Sequence, residues 1–201
     1  LKDTNIMIAS DEIYSELTYS GKHCSIAEIE GMRERTIVIN GFSKSFAMTG
    51  WRLGFLGGPK EIVSQMLKLH QYAIMSSPTV SQYAAIVAMH SCQKDIDAMR
   101  NEYNIRRRFV VDSFNKLGLK CFTPQGAFYV FPCIKSTSMT STDFCEKLVY
   151  TKKVAVVPGD AFGECGEGYV RVSYAYSLNH LREAIKRIGE CLEDIKNGNV
   201  Q

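Results

Sequence analysis

The sequence has no long apolar run and no concentration of charge of one sign. None of its apolar stretches approaches the roughly 18 residues of a membrane-spanning helix, and no signal peptide is visible. Its 24 basic and 21 acidic side chains are dispersed and give a net charge of +3. The sequence therefore gives no reason to expect a membrane or a nucleic-acid partner. The one dense basic cluster, Arg106-Arg107-Arg108, is predicted to be a solvated helix face.

Motifs for disulfides and metals are also missing. The seven cysteines are an odd number, are irregularly spaced and form no C-x-x-C motif. They are typical of reduced thiols in a cytosolic protein, so a cytoplasmic location is expected. The four histidines have no metal-ligand spacing, so we expect structural roles for them and no metal site. These are His23, His70, His90 and His180.

The first half of the sequence alternates short apolar strands with helices. The strands have few polar positions, which is typical of strands buried on both faces of a mostly parallel α/β sheet. They are predicted at 5–9, 36–40 and 53–57. Helices are predicted from Pro59, over 79–91 and over 93–117, the last stopped by Gly118.

Beyond residue 118 the pattern changes to short strands separated by turns. We predict strands at 120–122, 127–131, 154–157 and 169–173. Helices are predicted over 141–150, with Thr142 as N-cap, and over 178–197. The expected organisation is part of an α/β domain at 1–92, a linking helix at 93–118 and a small α+β domain at 119–201.

Polar residues directly follow the first two predicted strands. Asp11 and Tyr14 follow one strand, and Lys44 follows the next, eight residues before Arg52 on a Gly-rich turn. In open α/β sheets, ligands bind at the carboxyl ends of the strands. An amine there can form a Schiff base with an aldehyde, while a guanidinium neutralises a phosphate. A carboxylate can hold a protonated ring nitrogen, and a phenol can donate to a ring oxygen.

This combination resembles the class I (fold type I) pyridoxal-phosphate aminotransferases. Their hallmark is S-K-x-x-x-x-x-G-x-R-x-G after a strand, with D-x-x-Y upstream, and both motifs are present in that order. The resemblance implies that Lys44 is the Schiff-base lysine and the proton shuttle of the reaction. It also implies that Asp11 pairs with the pyridine nitrogen, that Tyr14 binds the ring oxygen, and that Arg52 and Ser43 bind the phosphate of pyridoxal 5'-phosphate.

Two other positions bear on the resemblance. Many relatives have a serine three residues before the lysine, where this chain has Gly41. Phosphate binding would then depend on Ser43, Arg52 and groups outside this chain. Arg171 lies in an R-x-S-x-A motif within an apolar strand, where an unpaired charge would cost several kcal/mol. The residues alone allow a structural ion pair there, whereas the resemblance implies that Arg171 holds the substrate α-carboxylate by two parallel hydrogen bonds.

The resemblance covers the whole chain but only the second half of the family's length. The chain starts Leu1-Lys2-Asp3 without Met and enters a predicted strand almost at once, which suggests part of a longer protein. The implied fold is the second half of the fold type I large domain, a partial and mostly parallel sheet with helices, followed by a small α+β domain. The other half would supply the aromatic ring that stacks on the cofactor, and the intact protein would be a homodimer. The partial sheet is expected to have exposed edges and an uncovered apolar face.

The expected function is transamination between an L-amino acid and a 2-oxo acid by the parent protein, and this segment alone is expected to be inactive. Two alternatives stay open. One is a C–S lyase or an aminocyclopropane-carboxylate synthase on the same fold. The other is the aminotransferase-like ligand-sensing domain of a transcriptional regulator.

Overall fold

The computed structural model describes residues 1–198. The chain divides between Arg100 and Asn101 into two compact units, at a point within one long helix. The finer division at residues 92 and 118 stays a prediction. Within the described residues, none of the helices combines the length and apolar character that a membrane crossing requires.

The first unit contains a three-stranded sheet in the order β1-β2-β3. Strand β1 (Ile8–Asp11) runs parallel to β2 (Thr36–Gly41), and β3 (Gly54–Gly57) runs antiparallel to β2. All three predicted strands are present, although β1 begins later than predicted. Because β1 and β2 are parallel, their carboxyl ends reach the same edge of the sheet.

The helices of the first unit follow the strands closely. A short helix, α1 (Phe42–Ser45), begins directly after β2, and the other helices follow β3. They are α2 (Lys60–Ala73), α3 (Thr79–Ser91) and the first part of α4 (Gln93–Lys116). The α3 bounds are those predicted, and α4 ends one residue earlier than predicted. Short 3-10 helices lie at Ser15–Leu17, Ile26–Glu28, Arg33–Arg35 and Thr49–Trp51.

A small apolar core supports α1. Phe42 and Met48 pack with Ala85 and Ala88 of α3, and the rings of Phe42 and Phe46 lie 5.1 Å apart. This core fixes both ends of the segment from Phe42 to Met48. The segment between those anchors is therefore held against α3 at two points.

Much of the apolar surface of the first unit is uncovered. Phe55 of β3 is 53% exposed, and α2 has no buried residue, with Tyr72 94% exposed. Burial of such side chains is the main favourable contribution to folding, so this unit gains little of it by itself. The uncovered face expected from the sequence is present.

The second unit has a denser core. Its antiparallel strands are β4 (Tyr129–Val130), β5 (Val157–Pro158) and β6 (Val170–Ser173), in the order β4-β6-β5. Its helices are the end of α4, α5 (Ser141–Lys147), which continues as a π-helical turn over Leu148–Lys152, and α6 (Leu178–Lys196). Several large side chains are almost fully buried, among them Phe114, Ile134, Phe144, Leu148, Tyr174 and Ile188.

Gly118 ends α4 as predicted. It adopts φ = 81°, a left-handed conformation that glycine adopts without steric cost. The amide of Leu119 then donates to the carbonyl oxygen of Phe114 at 3.0 Å, which satisfies a carbonyl of the last turn.

Four local predictions were wrong. The strand predicted at 154–157 shares only Val157 with β5. Residues 120–122 form no strand, and only a single backbone bond, from Cys133 N to Lys120 O, joins them to the chain opposite. The N-cap of α5 is Thr140, whose hydroxyl accepts from the amide of Asp143, so the predicted Thr142 lies inside the helix. Arg107 is buried rather than solvated, and it donates to Asn104 and to the carbonyl of Pro124.

Replacing Gly159 with alanine is expected to destabilise the second unit. A Cβ atom at Gly159 would lie 2.1 Å from the carbonyl oxygen of Gly166, which belongs to the backbone and cannot turn away. We expect the free energy of unfolding to fall by about 3 kcal/mol or more, measured by urea denaturation. Gly189→Ala is the matched control, because its Cβ would meet only the flexible side chain of Leu117 at 3.2 Å. Equal unfolding free energies for the two variants would contradict the prediction.

Candidate active site

Asp11 lies at the carboxyl edge of the sheet as the last residue of β1. The amide of Glu12 still donates to Ile39 O at 2.8 Å, so the pairing with β2 continues one residue further. The chain then turns, and the amide of Ile13 donates to Asp11 Oδ1 at 3.1 Å. Tyr14 follows as the N-cap of the 3-10 helix Ser15–Leu17. The turn thus brings a carboxylate and a phenol to the edge where ligands bind in such sheets.

Lys44 reaches the same edge from β2. It is the third residue of α1, between Phe42 and Met48, which belong to the apolar core. The amide of Phe42 donates to Leu53 O at 3.2 Å, which ties the start of α1 to the approach to β3. Asn40 at the end of β2 donates to Ser15 Oγ at 3.2 Å. The turn after β1 and the segment that carries Lys44 are therefore joined directly.

Thr49 links the two residues predicted to bind phosphate. Its hydroxyl donates to the carbonyl oxygen of Ser43 at 2.9 Å, and its own carbonyl accepts from Arg52 Nη1 at 2.9 Å. Arg52 adopts φ = 51° and ψ = 51°, a left-handed conformation that is unfavourable for a non-glycine residue. Such strain persists only where the surroundings enforce it, and it is common at functional sites.

Ser81 of α3 forms a hydrogen bond with the same turn. Its buried hydroxyl donates to the carbonyl oxygen of Trp51 at 2.7 Å. Sequence reasoning missed both Ser81 and Thr49. Thr49 occupies one of the unspecified positions of the lysine motif, and Ser81 lies in a helix remote from it, so neither has a local signal.

Gly41 is glycine for a steric reason. A Cβ atom there would lie 3.1 Å from Ile13 Cδ1 and 3.2 Å from both Gly54 Cα and Leu53 O. These distances are shorter than ordinary carbon contacts. A serine at this position would require its neighbours to shift by a few tenths of an ångström, so glycine suits the close approach of the backbones here.

Arg171 lies in β6 of the second unit. Its guanidinium packs against two aromatic rings, 4.6 Å from the centroid of Tyr129 and 4.4 Å from that of Phe162. In the described part of the chain it forms no ion pair. The structural ion pair considered from the sequence is therefore not what holds this side chain. The two rings orient the guanidinium by stacking. Among the described residues no carboxylate neutralises its charge, so the guanidinium can pair with an anionic ligand.

The donor set of the first unit fits the cofactor implied by the sequence. An amine, a carboxylate and a phenol match the aldehyde, the ring nitrogen and the ring oxygen of pyridoxal phosphate, while Ser43 and Arg52 match its phosphate. No group of three or more His, Cys, Asp or Glu side chains within residues 1–198 could hold a metal ion.

Comparison with known proteins gives consistent results. The family model described as aminotransferase class I and II matches residues 1–188. An aspartate aminotransferase from Pyrococcus abyssi is 47% identical over 195 residues, which are 96% of this chain and 50% of that protein. Aromatic-amino-acid aminotransferase 2 from Thermococcus litoralis is also 47% identical over 195 residues, with the same coverage.

A solved structure agrees with this chain in fold. The aromatic aminotransferase from Pyrococcus horikoshii OT3 superposes with a TM-score of 0.93 at 46% identity, over 96% of this chain and 52% of that one. The chain thus spans about half the length of the curated relatives it matches.

Proposed function

The chain belongs to the class I and II aminotransferase family, and from that premise we propose that it forms part of a pyridoxal-phosphate-dependent aminotransferase. The reaction would transfer an amino group between an L-amino acid and a 2-oxo acid. One observation carries this proposal: parallel strands bring Asp11 and Lys44 to one sheet edge, beside a turn in which Thr49 joins Ser43 and Arg52.

Each group at this edge has a distinct task in the proposal. Lys44 would hold the aldehyde of the cofactor and would move a proton at the substrate Cα. Asp11 keeps the ring nitrogen protonated, and Tyr14 donates to the ring oxygen. Pyridoxal phosphate, when bound, supplies an aldehyde that condenses with amines and a ring that accepts an electron pair.

The phosphate would be held by Ser43 and Arg52. The bonds through Thr49 hold the backbone of Ser43 and the guanidinium of Arg52 at one turn before any ligand binds. A turn that is already ordered loses less entropy on binding than a mobile one. Gly41 adds no side-chain donor, and we propose that further phosphate contacts come from residues beyond this chain.

Arg171 would bind the substrate carboxylate in the second unit. A planar guanidinium forms two parallel hydrogen bonds with a carboxylate. The rings of Tyr129 and Phe162 restrict the conformation of the Arg171 side chain, so binding of a substrate would cost less conformational entropy.

The uncovered apolar surface of the first unit supports a longer parent protein. Exposed Phe55 and Tyr72 indicate that further protein packs against β3 and α2. We propose that this is the remainder of an aminotransferase chain and that the intact enzyme is a cytoplasmic homodimer. The names of the relatives favour transamination over the lyase, synthase and regulator alternatives.

The purified 201-residue chain is expected not to transaminate. It contains the lysine but lacks, on this proposal, the groups that hold the cofactor ring from the other side. The measurement is turnover of amino acids with a 2-oxo acid and added pyridoxal phosphate, compared with the full-length enzyme at equal concentration. Appreciable turnover by the 201-residue chain would contradict the prediction.

An absorbance titration tests the proposed function itself. Full-length enzyme with pyridoxal phosphate should develop a visible band that an amino acid bleaches. The absence of such a band in the folded full-length enzyme would overturn the proposal.

A further inference from the structure

Glu12, between Asp11 and Tyr14, is a carboxylate that is only 7% exposed. An unpaired charge at such a site would be costly. Three side chains form hydrogen bonds that stabilise the Glu12 carboxylate. Oε1 accepts from Ser25 Oγ at 2.6 Å and from Ser10 Oγ at 3.1 Å, and Oε2 lies 2.9 Å from His23 Nε2.

The charge state of Glu12 follows from these partners. Burial alone would raise the pKa of this carboxyl group. The hydrogen bonds from Ser25, His23 and Ser10, together with the charge that His23 can carry, outweigh burial and hold the pKa of Glu12 below its ordinary value. Glu12 is therefore an ionised acceptor at neutral pH.

The hydrogen bond between Glu12 and Ser25 closes a loop of the chain. Ser25 lies 13 residues further along the chain, and it begins the 3-10 helix Ile26–Glu28 as the N-cap of a capping box. The loop between them contains Tyr14 and the fully buried Leu17. The Glu12 carboxylate thus joins the end of β1 to the far end of the segment that carries Tyr14.

Glu12 and Asp11 lie on opposite faces of the strand end. Exposure alternates along β1, with Ile8 and Ser10 partly buried and Asp11 exposed. The Glu12 side chain bonds to that of Ser10, two residues earlier, which places both on the buried face. Glu12 therefore holds the turn from the side opposite the Asp11 carboxylate.

We propose that Glu12 is a positioning residue that, through Ser25 and His23, fixes the backbone from which Asp11 and Tyr14 reach the cofactor ring. This inference rests on the proposed function of the site. Glu12 itself contacts no reacting group. Its effect is geometric, because a displacement of about 1 Å in a group that orients a reactant can cost on the order of 10²-fold in rate.

Cofactor binding in the full-length enzyme tests this role. The variants are Glu12→Gln, which removes the charge at nearly constant size, and Ser25→Ala, which removes the shortest of these bonds. Glu16→Gln is the matched control, since Glu16 is an exposed carboxylate in the same loop. The readouts are the dissociation constant of pyridoxal phosphate, the visible circular dichroism of the bound cofactor and the melting temperature of the protein without cofactor.

The proposal predicts a dissociation constant raised by roughly 10-fold to 10²-fold in Glu12→Gln, with a weaker circular dichroism band. Ser25→Ala should change both in the same direction by less, Ser25→Thr should restore them, and Glu16→Gln should match wild type. If Glu12→Gln does not fold, the two Ser25 variants decide the matter.

Two results would overturn the inference. Unchanged cofactor affinity and circular dichroism with a lower melting temperature would mean that the cluster only stabilises the fold. A wild-type enzyme without any lysine-dependent visible band would instead overturn the proposed function, and the inference with it.

Discussion

Replacing Lys44 with alanine is expected to lower kcat/KM of the full-length enzyme by about 10⁴-fold or more, because in the proposed function this one side chain is both the covalent link and the proton carrier. Its position between two core residues, Phe42 and Met48, means that the substitution removes the amine and leaves the segment anchored. The free energy of unfolding should therefore change little. Steady-state kinetics and urea denaturation measure the two effects separately.

A chemical experiment locates the covalent bond. Borohydride reduction of the wild-type enzyme with its cofactor should label the peptide that contains Lys44, as read by mass spectrometry, and the alanine variant should carry no label there. Lys68→Ala is the control, because Lys68 is exposed on α2 and bonds only to Gln65 in the described structure. Label on a different lysine of the wild-type enzyme would show that Lys44 has been given the wrong role.

Arg171→Leu is expected to lower kcat/KM for amino-acid substrates by roughly 10²-fold to 10³-fold, because the proposed pairing with the substrate carboxylate would lose two charge-assisted hydrogen bonds. Leucine is apolar and still packs against Tyr129 and Phe162, so the second unit should remain folded. Arg171→Lys keeps the charge but cannot form two parallel bonds, and should recover only part of the loss. The measurement compares the kinetics of an amino acid with those of its decarboxylated amine. Because the amine has no carboxylate for Arg171 to bind, the substitution should lower kcat/KM for the amino acid only.

The control for Arg171 is another stacked arginine. Arg182 lies 6.0 Å from the ring centroid of Phe109 and bonds to Asn179 on α6. Arg182→Leu should leave the kinetics unchanged. If Arg171→Leu had normal kinetics and lost stability, its cation–π contacts would be structural only.

The sequence predicted the parts of the site that depend on the order of elements along the chain. Asp11 ends β1 and Lys44 follows β2, and parallel strands have their carboxyl ends at the same edge, so the placement of both residues at that edge follows from topology. The start of α3 could be predicted because Pro78 breaks the preceding helical pattern directly before it.

Contacts between distant segments could not be predicted from the sequence. The bond between Ser81 and Trp51 spans 30 residues, and that between Ser25 and Glu12 spans 13. Both depend on how helices and turns pack, which no local pattern specifies. The burial of Arg107 had the same origin, because its partner Pro124 lies beyond the end of α4.

Competition between alternative local structures explains two further errors. Thr140 and Thr142 are both suitable N-caps, and the choice between them depends on where the backbone leaves its extended conformation. Residues 120–122 have the composition of a strand, yet a strand requires a partner along its length. Only Lys120 is joined to Cys133.

The sheet of the first unit also affects how such a chain must be handled. In the described structure β1 and β3 each pair with β2 alone, so one side of each strand offers free amide and carbonyl groups beside apolar side chains such as Phe55. Open edges of this kind can template pairing with other copies, and a transiently exposed apolar strand is a common start of aggregation. If further protein covers these edges, as proposed above, the yield of folded protein would depend on how fast they are covered during biosynthesis as well as on the stability of the finished fold.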